Sequence, residues 1–130
     1  MNCSNWWTSI RAALAAAAEW RGITRSELEA RFRTVVDAAG LPKPEMNCRL
    51  ELGSLSIEAD AVWRDQRLIV ELDGYAFHRT QAAFERDRQR DRAAVAAGWR
   101  VIRVTWRQLV HDPAAVVSDL ARALSLRSPQ

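Results

Sequence analysis

The chain has 130 residues, a formal net charge of +3 and a pI near 9.5, and 48% of its residues are hydrophobic. This length supports one domain with a single core, and the mild positive charge is compatible with phosphate contacts without requiring them. Cys3 and Cys48 have no paired spacing, which argues against a disulfide framework or a zinc knuckle. The apolar run at 12–18 is too short to span a membrane and follows no basic segment, so we expect a soluble cytoplasmic protein.

An alanine-rich helix is predicted near the N-terminus, from Asn5 to Trp20. We interpret residues 1–23 as an extension and residues 24–130 as the main domain. Trp6 and Trp7 lie on this helix, where they either pack on the core or dock a partner, such as a second copy of the chain or a DNA-binding protein.

A second helix is predicted from Ser26 to Ala39, with Gly40 as its stop. Ser26 and Glu29 have the spacing of a capping box. The alternative is that the carboxylate of Glu29 is directed at a metal ion, and spacing does not choose between the two.

A β-hairpin is predicted after a short strand at Met46–Leu50. Ile57–Trp63 and Arg67–Leu72 are rich in Val, Ile, Trp and Leu, and Asp65-Gln66 between them suits a two-residue loop. The register set by that loop opposes two pairs of acids on one face, Asp60 with Glu71 and Glu58 with Asp73.

Four clustered carboxylates repel one another unless a cation lies among them. Two like charges ~4 Å apart repel by ~4 kcal/mol at an effective dielectric constant near ~20. Mg²⁺ bound by two or more carboxylates would remove the repulsion and is the usual arrangement for cutting phosphodiesters. The alternative is an exposed hairpin face whose acids stay hydrated.

A histidine follows the acidic strand. Gly74 gives the chain freedom to turn where the strand ends, and His78 comes four residues later. His78 is either an ordinary surface residue or a general base that activates or positions water.

A long helix is predicted from Thr80 to Ala97. On a helical wheel Phe84, Asp91 and Val95 fall together, which places Asp87 and Asp91 near the buried side and favours a structural ion pair with Arg103. The outward face carries arginines that either contact a phosphate backbone or form a salt-bridged surface. These are Arg86 and Arg90, with Arg79 and Arg92 nearby.

The remaining elements are a strand and a helix. Trp99–Thr105 alternates in the manner of a strand, and Asp112-Pro113 starts a last helix with Val116, Val117, Leu120 and Leu124 on one face. The predicted fold is therefore α+β, an α-β-β-β-α-β core with an extra N-terminal helix and a C-terminal helix.

This order of elements resembles the PD-(D/E)XK nuclease superfamily, and within it the very-short-patch-repair (Vsr)-like endonuclease-fold proteins of bacteria. The resemblance covers about residues 24–124. The residues that carry it are Ser26-x-x-Glu29, Glu58-Ala59-Asp60, Val70-Glu71-Leu72-Asp73-Gly74 with His78, Asp87-x-x-Arg90-Asp91 and Gly98-Trp99-Arg100-Val101-Ile102-Arg103.

The resemblance implies a restriction-endonuclease-like fold and a catalytic site. Asp60 and Glu71 would bind Mg²⁺ or Mn²⁺, Glu29 would contribute from the first core helix, and His78 would match the histidine of Vsr-type enzymes. The chain departs from the superfamily at the third motif position, where Asp73 replaces the usual lysine. The lysine of the motif normally stabilises charge or orients the attacking water. That role would pass to His78, to a second metal ion held by Asp73, or to no residue.

Two functions follow as expectations. The first is a metal-dependent endonuclease that nicks or cleaves DNA, with Arg79, Arg86 and Arg90 contacting the DNA backbone. The alternative is an inactive nuclease-fold module that binds nucleic acid or a protein partner.

Overall fold

The computed structural model describes residues 23–74 and 80–125. The described chain forms a four-stranded sheet with helices on both faces. In chain order the elements are α1 (Arg25–Ala38), β1 (Glu45–Leu52), β2 (Leu55–Trp63), β3 (Leu68–Asp73), α2 (Gln81–Ala96), β4 (Arg100–Thr105), α3 (Trp106–His111) and α4 (Pro113–Ser125). The predicted helix at Asn5–Trp20 lies outside the described residues.

The strands lie in the order β1-β2-β3-β4. The first three strands form an antiparallel meander, and β4 runs parallel to β3 after the α2 crossover. Ala61 pairs with Val70, Val62 with Ile69 and Trp63 with Leu68, which confirms the predicted hairpin register next to the turn. The predicted pairs of Asp60 with Glu71 and of Glu58 with Asp73 lie beyond this part of the ladder. The predicted α+β fold, with its α-β-β-β-α-β core, is therefore confirmed over the described residues.

Two apolar clusters cover the two faces of the sheet. The larger cluster packs α1, α3 and α4 on one face, with Phe32, Val36, Leu109 and Leu120 fully buried. The smaller cluster packs α2 on the other face. The predicted apolar stripes of α1 and α4 are confirmed by the burial of Leu28, Phe32, Val35, Val36, Val116 and Leu120.

The face of α2 that meets the sheet differs from the prediction. Phe84 is 46% exposed and Val95 is 66% exposed, so their predicted place on the buried side is wrong. The predicted place of Asp87 and Asp91 near that side is confirmed, because both contact Arg103 of the sheet. The face turned inward carries small and charged residues at helical spacing, namely Ala83, Asp87, Arg90, Ala94 and Ala97. Small side chains let this helix approach the sheet closely, so its charged residues reach the strands.

The first helix begins one residue earlier than predicted, and its cap is different. Thr24 is the N-cap: its hydroxyl accepts a hydrogen bond from the Glu27 backbone N–H, and the Glu27 side chain accepts one from the Thr24 backbone N–H. The predicted box of Ser26 with Glu29 is therefore wrong. Glu29 is consequently not used as a cap.

Candidate active site

The regular alternation of side chains between the two faces of the sheet is interrupted at Asp60 in β2. Ala59 packs in the α2-side cluster and Ala61 in the α1-side cluster, although residues two apart in a regular strand share a face. Opposite this point on β1, Asn47 has a φ of 52°, in the left-handed region that asparagine tolerates better than most residues. The irregularity leaves Asp60 between the two apolar clusters, beside a cavity.

Asp60 is fixed by the backbone of the adjacent strand. Its Oδ2 accepts a hydrogen bond of 2.8 Å from the Leu72 backbone N–H. Its Oδ1 lies 2.9 Å from Nη2 of Arg25 on α1. The side chain is only 14% exposed, so these two contacts define where its oxygens lie.

Glu71, on β3, lies beside Asp60 in the same cavity, and its side chain is 13% exposed. Burial raises its pKa, and the charge of Asp60 raises it further. Arg90, with Nη2 at 3.3 Å from Glu71 Oε1, opposes this shift without cancelling it. The resulting pKa is about 7, against 4.5 for an ordinary glutamate.

Arg25 is the hub of a polar network at the start of α1. Its Nε donates to Glu29 Oε1 at 3.2 Å, and its Nη2 lies 3.1 Å from Asn47 Oδ1 and 3.7 Å from Glu58 Oε1. Asn47 Nδ2 in turn donates to Glu29 Oε2 at 3.3 Å. Glu29 is therefore held toward Asp60 through Arg25 and Asn47.

Helix α2 contributes a second cationic contact through Arg90. Its Nη2 donates to the Glu58 carbonyl at 3.2 Å as well as to Glu71, and its Nη1 lies 3.9 Å from Asp87. The prediction that Arg90 lies on the outward face of the helix is therefore wrong. Arg86 is exposed, as predicted.

The predicted ion pair between α2 and the sheet is confirmed. Arg103 on β4 lies 3.0 Å from Asp91 and 3.8 Å from Asp87, measured between guanidinium nitrogens and carboxylate oxygens. These contacts tie the inner face of α2 to the parallel strand next to β3. They therefore set the position of Arg90 relative to Glu71.

These side chains surround a cavity of about 400 Å³. The charged residues that line it are Arg25, Glu29, Glu58, Asp60, Glu71, Asp87, Arg90 and Arg103. Acidic side chains and arginines thus line the same cavity.

Comparison of the chain with known proteins identifies its family. A family model, REase_MTES_1575, matches residues 35–124, which is more than half of the chain. The chain belongs to this restriction endonuclease family. No curated protein and no solved structure gave a significant match.

The match to REase_MTES_1575 includes Asp60, Glu71 and Arg90 and begins after Arg25 and Glu29. The restriction-endonuclease-like resemblance is thereby confirmed at the level of the fold and of a nuclease family. The network around Arg25 lies outside the matched region, although it reaches the same cavity.

The predicted site residues do not all meet at this cavity. Glu29, Asp60 and Glu71 line it, whereas Asp73, at the end of β3, does not. His78 and Arg79 lie outside the described residues, so their roles stay predictions. The sequence analysis missed Arg25 and Asn47, although the spacing of Arg25 four residues before Glu29 on a helix was a signal for their contact.

Restriction-endonuclease-type families generally use divalent metal ions. Within residues 23–74 and 80–125 no group of three or more His, Cys, Asp or Glu side chains is arranged to hold one. The pair of Asp60 and Glu71 still fits a hard cation, because two adjacent, half-buried carboxylates, one with a raised pKa, gain from added positive charge. Arg25 and Arg90 supply that charge in the structure.

Among the described residues no helix has the length and apolar character needed to cross a membrane.

Proposed function

We propose that this member of the restriction endonuclease family is a divalent-metal-dependent endonuclease that hydrolyses DNA phosphodiester bonds. The single observation that carries the proposal is that Asp60 and Glu71, two carboxylates only 14% and 13% exposed, lie together in a cavity that arginines also line. Two adjacent, half-buried acids of this kind are costly for folding alone, which favours a functional reason for them. The resemblance to Vsr-like PD-(D/E)XK enzymes supports the same assignment of both residues.

Asp60 and Glu71 would hold Mg²⁺ or Mn²⁺. When bound there, a divalent cation supplies Lewis-acid stabilisation of the charge that develops on a phosphate. The Leu72 backbone N–H fixes the orientation of Asp60, and Arg90 does the same for Glu71. The protein's own contribution is thus to hold two carboxylates in place before substrate arrives.

The protonation of Glu71 controls the charge of the acid pair and therefore how strongly the pair attracts a cation. Its pKa of about 7 means that a large fraction of the folded chains carry a neutral Glu71 at neutral pH. Only the ionised form attracts a cation strongly, so we expect activity to rise as the pH passes through 7.

Other groups are proposed for the remaining roles. Glu29 would contribute a further carboxylate from α1, and His78 would remove or position a proton on the attacking water. Asp73 stands where related nucleases carry lysine, and it would assist His78 or hold a second metal ion. Arg79 and Arg86 would contact the DNA backbone, while Arg90 lies close enough to Glu71 to act inside the cavity.

A second candidate function has its own supporting observation. Arg25 already contacts Asp60, and Arg90 already contacts Glu71. Asp73 also stands where the superfamily motif usually has lysine. An inactive module that binds nucleic acid, or a partner through Trp6 and Trp7, could keep such an ion-paired cavity for stability. This version predicts no divalent-metal binding, and a DNA affinity that falls with salt.

Cleavage of supercoiled plasmid tests the proposal. Wild type, Asp60→Asn, Glu71→Gln and the control Glu51→Gln, which removes an exposed acid of β1, are each incubated with Mg²⁺, Mn²⁺ or EDTA. We expect nicking or linearisation by wild type and Glu51→Gln with metal only, and a loss of at least about 100-fold in the two site variants, the size expected when an essential electrostatic group is removed. Equal cleavage by all four proteins would assign it to a contaminant and refute the proposal.

A further inference from the structure

Arg25 is the cation closest to Asp60 in the described structure, and it lies outside the region that the family model matches. Its Nη2 lies 2.9 Å from Asp60 Oδ1, and its Nε binds Glu29 at 3.2 Å. The side chain is nevertheless 61% exposed, although it lines the cavity. A close contact to a largely shielded acid is thus made by an arginine that solvent reaches.

The two oxygens of Asp60 are held in different ways. Oδ2 accepts from the Leu72 backbone N–H, which belongs to the sheet and cannot leave without distorting it. Oδ1 accepts from Arg25, whose side chain is 61% exposed, so water can hydrate the guanidinium group when it leaves Asp60. A cation that approaches Asp60 from the cavity therefore competes with Arg25 and not with the backbone.

Arg90 is less suited to give way. Its side chain is 34% exposed and is held by Glu71, by Asp87 and by the Glu58 carbonyl. Arg90 is thus the less exposed of the two arginines, and water would replace its contacts less readily than those of Arg25. Arg25 would lose the Nη2 contacts to Asn47 and Glu58 together with the contact to Asp60, but its Nε could keep the contact to Glu29.

We propose that Arg25 is a displaceable counter-ion of Asp60, which competes with the divalent cation and sets the affinity of the site for metal. The inference rests on the proposed function, because it takes Asp60 as a metal ligand. Arg25 neutralises the acid pair when no metal is bound and yields Oδ1 when metal arrives. Arg25 thus positions Asp60 and competes with the cation for it, and it acts on the metal ion only through Asp60.

Calorimetric titration with Mn²⁺ tests this role without measuring activity. The full chain is compared as wild type, Arg25→Gln and Arg33→Gln, the last removing an exposed arginine of the same helix that does not line the cavity. We expect Arg25→Gln to bind Mn²⁺ about 10-fold more tightly than wild type, the effect of losing one partly exposed charged hydrogen bond. Arg33→Gln should bind as wild type does, and the gain should vanish when Asp60→Asn is added to Arg25→Gln.

A second readout follows the guanidinium itself. The Nε–H resonance of Arg25 is assigned by its absence in Arg25→Gln, and it should shift as Mg²⁺ saturates the wild type. If metal binds wild type and depends on Asp60, but Arg25→Gln binds no more tightly and the resonance does not move, the counter-ion role is refuted while the metal site stands. If neither wild type nor Arg25→Gln binds Mn²⁺, the inference and the proposed function both fail.

Discussion

Glu71 lies beside Asp60 on the neighbouring strand, and burial together with the charge of Asp60 raises the pKa of Glu71 to about 7. Ionisation of Glu71 beside Asp60 is therefore electrostatically unfavourable in the folded protein. A shift of one pKa unit corresponds to about 1.4 kcal/mol. This energy makes the stability of the chain depend on pH in a direction that can be predicted.

Glu71→Gln should change that dependence. Between pH 4.5 and 7 the folded state retains a proton on Glu71 that the unfolded chain has lost, so the stability of wild type falls as the pH rises. The contribution is fully present below 4.5 and lost once the pH passes through 7. Glu71→Gln does not titrate, so its free energy of unfolding relative to wild type should rise by about 1–3 kcal/mol over this interval.

Urea denaturation of both proteins at pH 4, 6 and 8 measures this difference, with Glu51→Gln as the matched control. A difference between wild type and Glu71→Gln that stays constant with pH would mean that Glu71 ionises alike in the folded and unfolded chain. In that case the electrostatic coupling to Asp60 would be absent.

Removal of the helix cap distinguishes the two candidate boxes at the start of α1. Thr24→Ala should reduce the free energy of unfolding by about 1 kcal/mol, because the hydroxyl that accepts from the Glu27 N–H is lost. Ser26→Ala, which removes a hydroxyl two residues on, should change it by less than about 0.5 kcal/mol. Thermal denaturation of both variants gives the answer, and a larger loss for Ser26→Ala would restore the box of Ser26 with Glu29.

A double-mutant cycle measures the ion pair that holds α2 to the sheet. Asp91→Asn, Arg103→Gln and the double variant should give a coupling energy of about 1 kcal/mol, since both side chains are largely shielded at 25% and 28% exposure. Denaturation at low and at high salt provides the values. A coupling near zero at low salt would show that the 3.0 Å contact adds nothing to stability.

The sequence was sufficient for the features that local chemistry determines. The polar Asp65-Gln66 loop between two β-rich runs predicted the hairpin register, and with it the meeting of Asp60 and Glu71. A short helix, α3, was missed although its signal was present. Thr105 and Gln108 form a capping box at its start, with the Thr-x-x-Gln spacing that marks a helix N-terminus.

Other features depend on contacts between distant segments. Thr24-x-x-Glu27 and Ser26-x-x-Glu29 are equally good boxes in the sequence, and the choice depends on Glu29 being held by Arg25 and by Asn47 from β1. The orientation of α2 was misjudged because hydrophobicity pointed to Phe84. The sheet instead takes the face with small side chains and with acids that reach Arg103.

The change of face at Asp60 also has no signature in the sequence of β2 alone. It is accompanied by the left-handed backbone of Asn47 on the partner strand, 13 positions earlier in the numbering. Because this irregularity brings Asp60 to the cavity, the exact surroundings of the site follow from the tertiary structure. The identity of the acids, in contrast, follows from the hairpin.

A metal centre formed by Asp60 and Glu71 can be tested by counting the Mn²⁺ ions bound to wild type, Asp60→Asn and Glu71→Gln at pH 8, above the pKa of about 7 of Glu71. We expect saturable binding to wild type that is weakened at least about 10-fold in each variant, while both variants stay folded. Unchanged binding in both variants, or no binding to wild type, would contradict it.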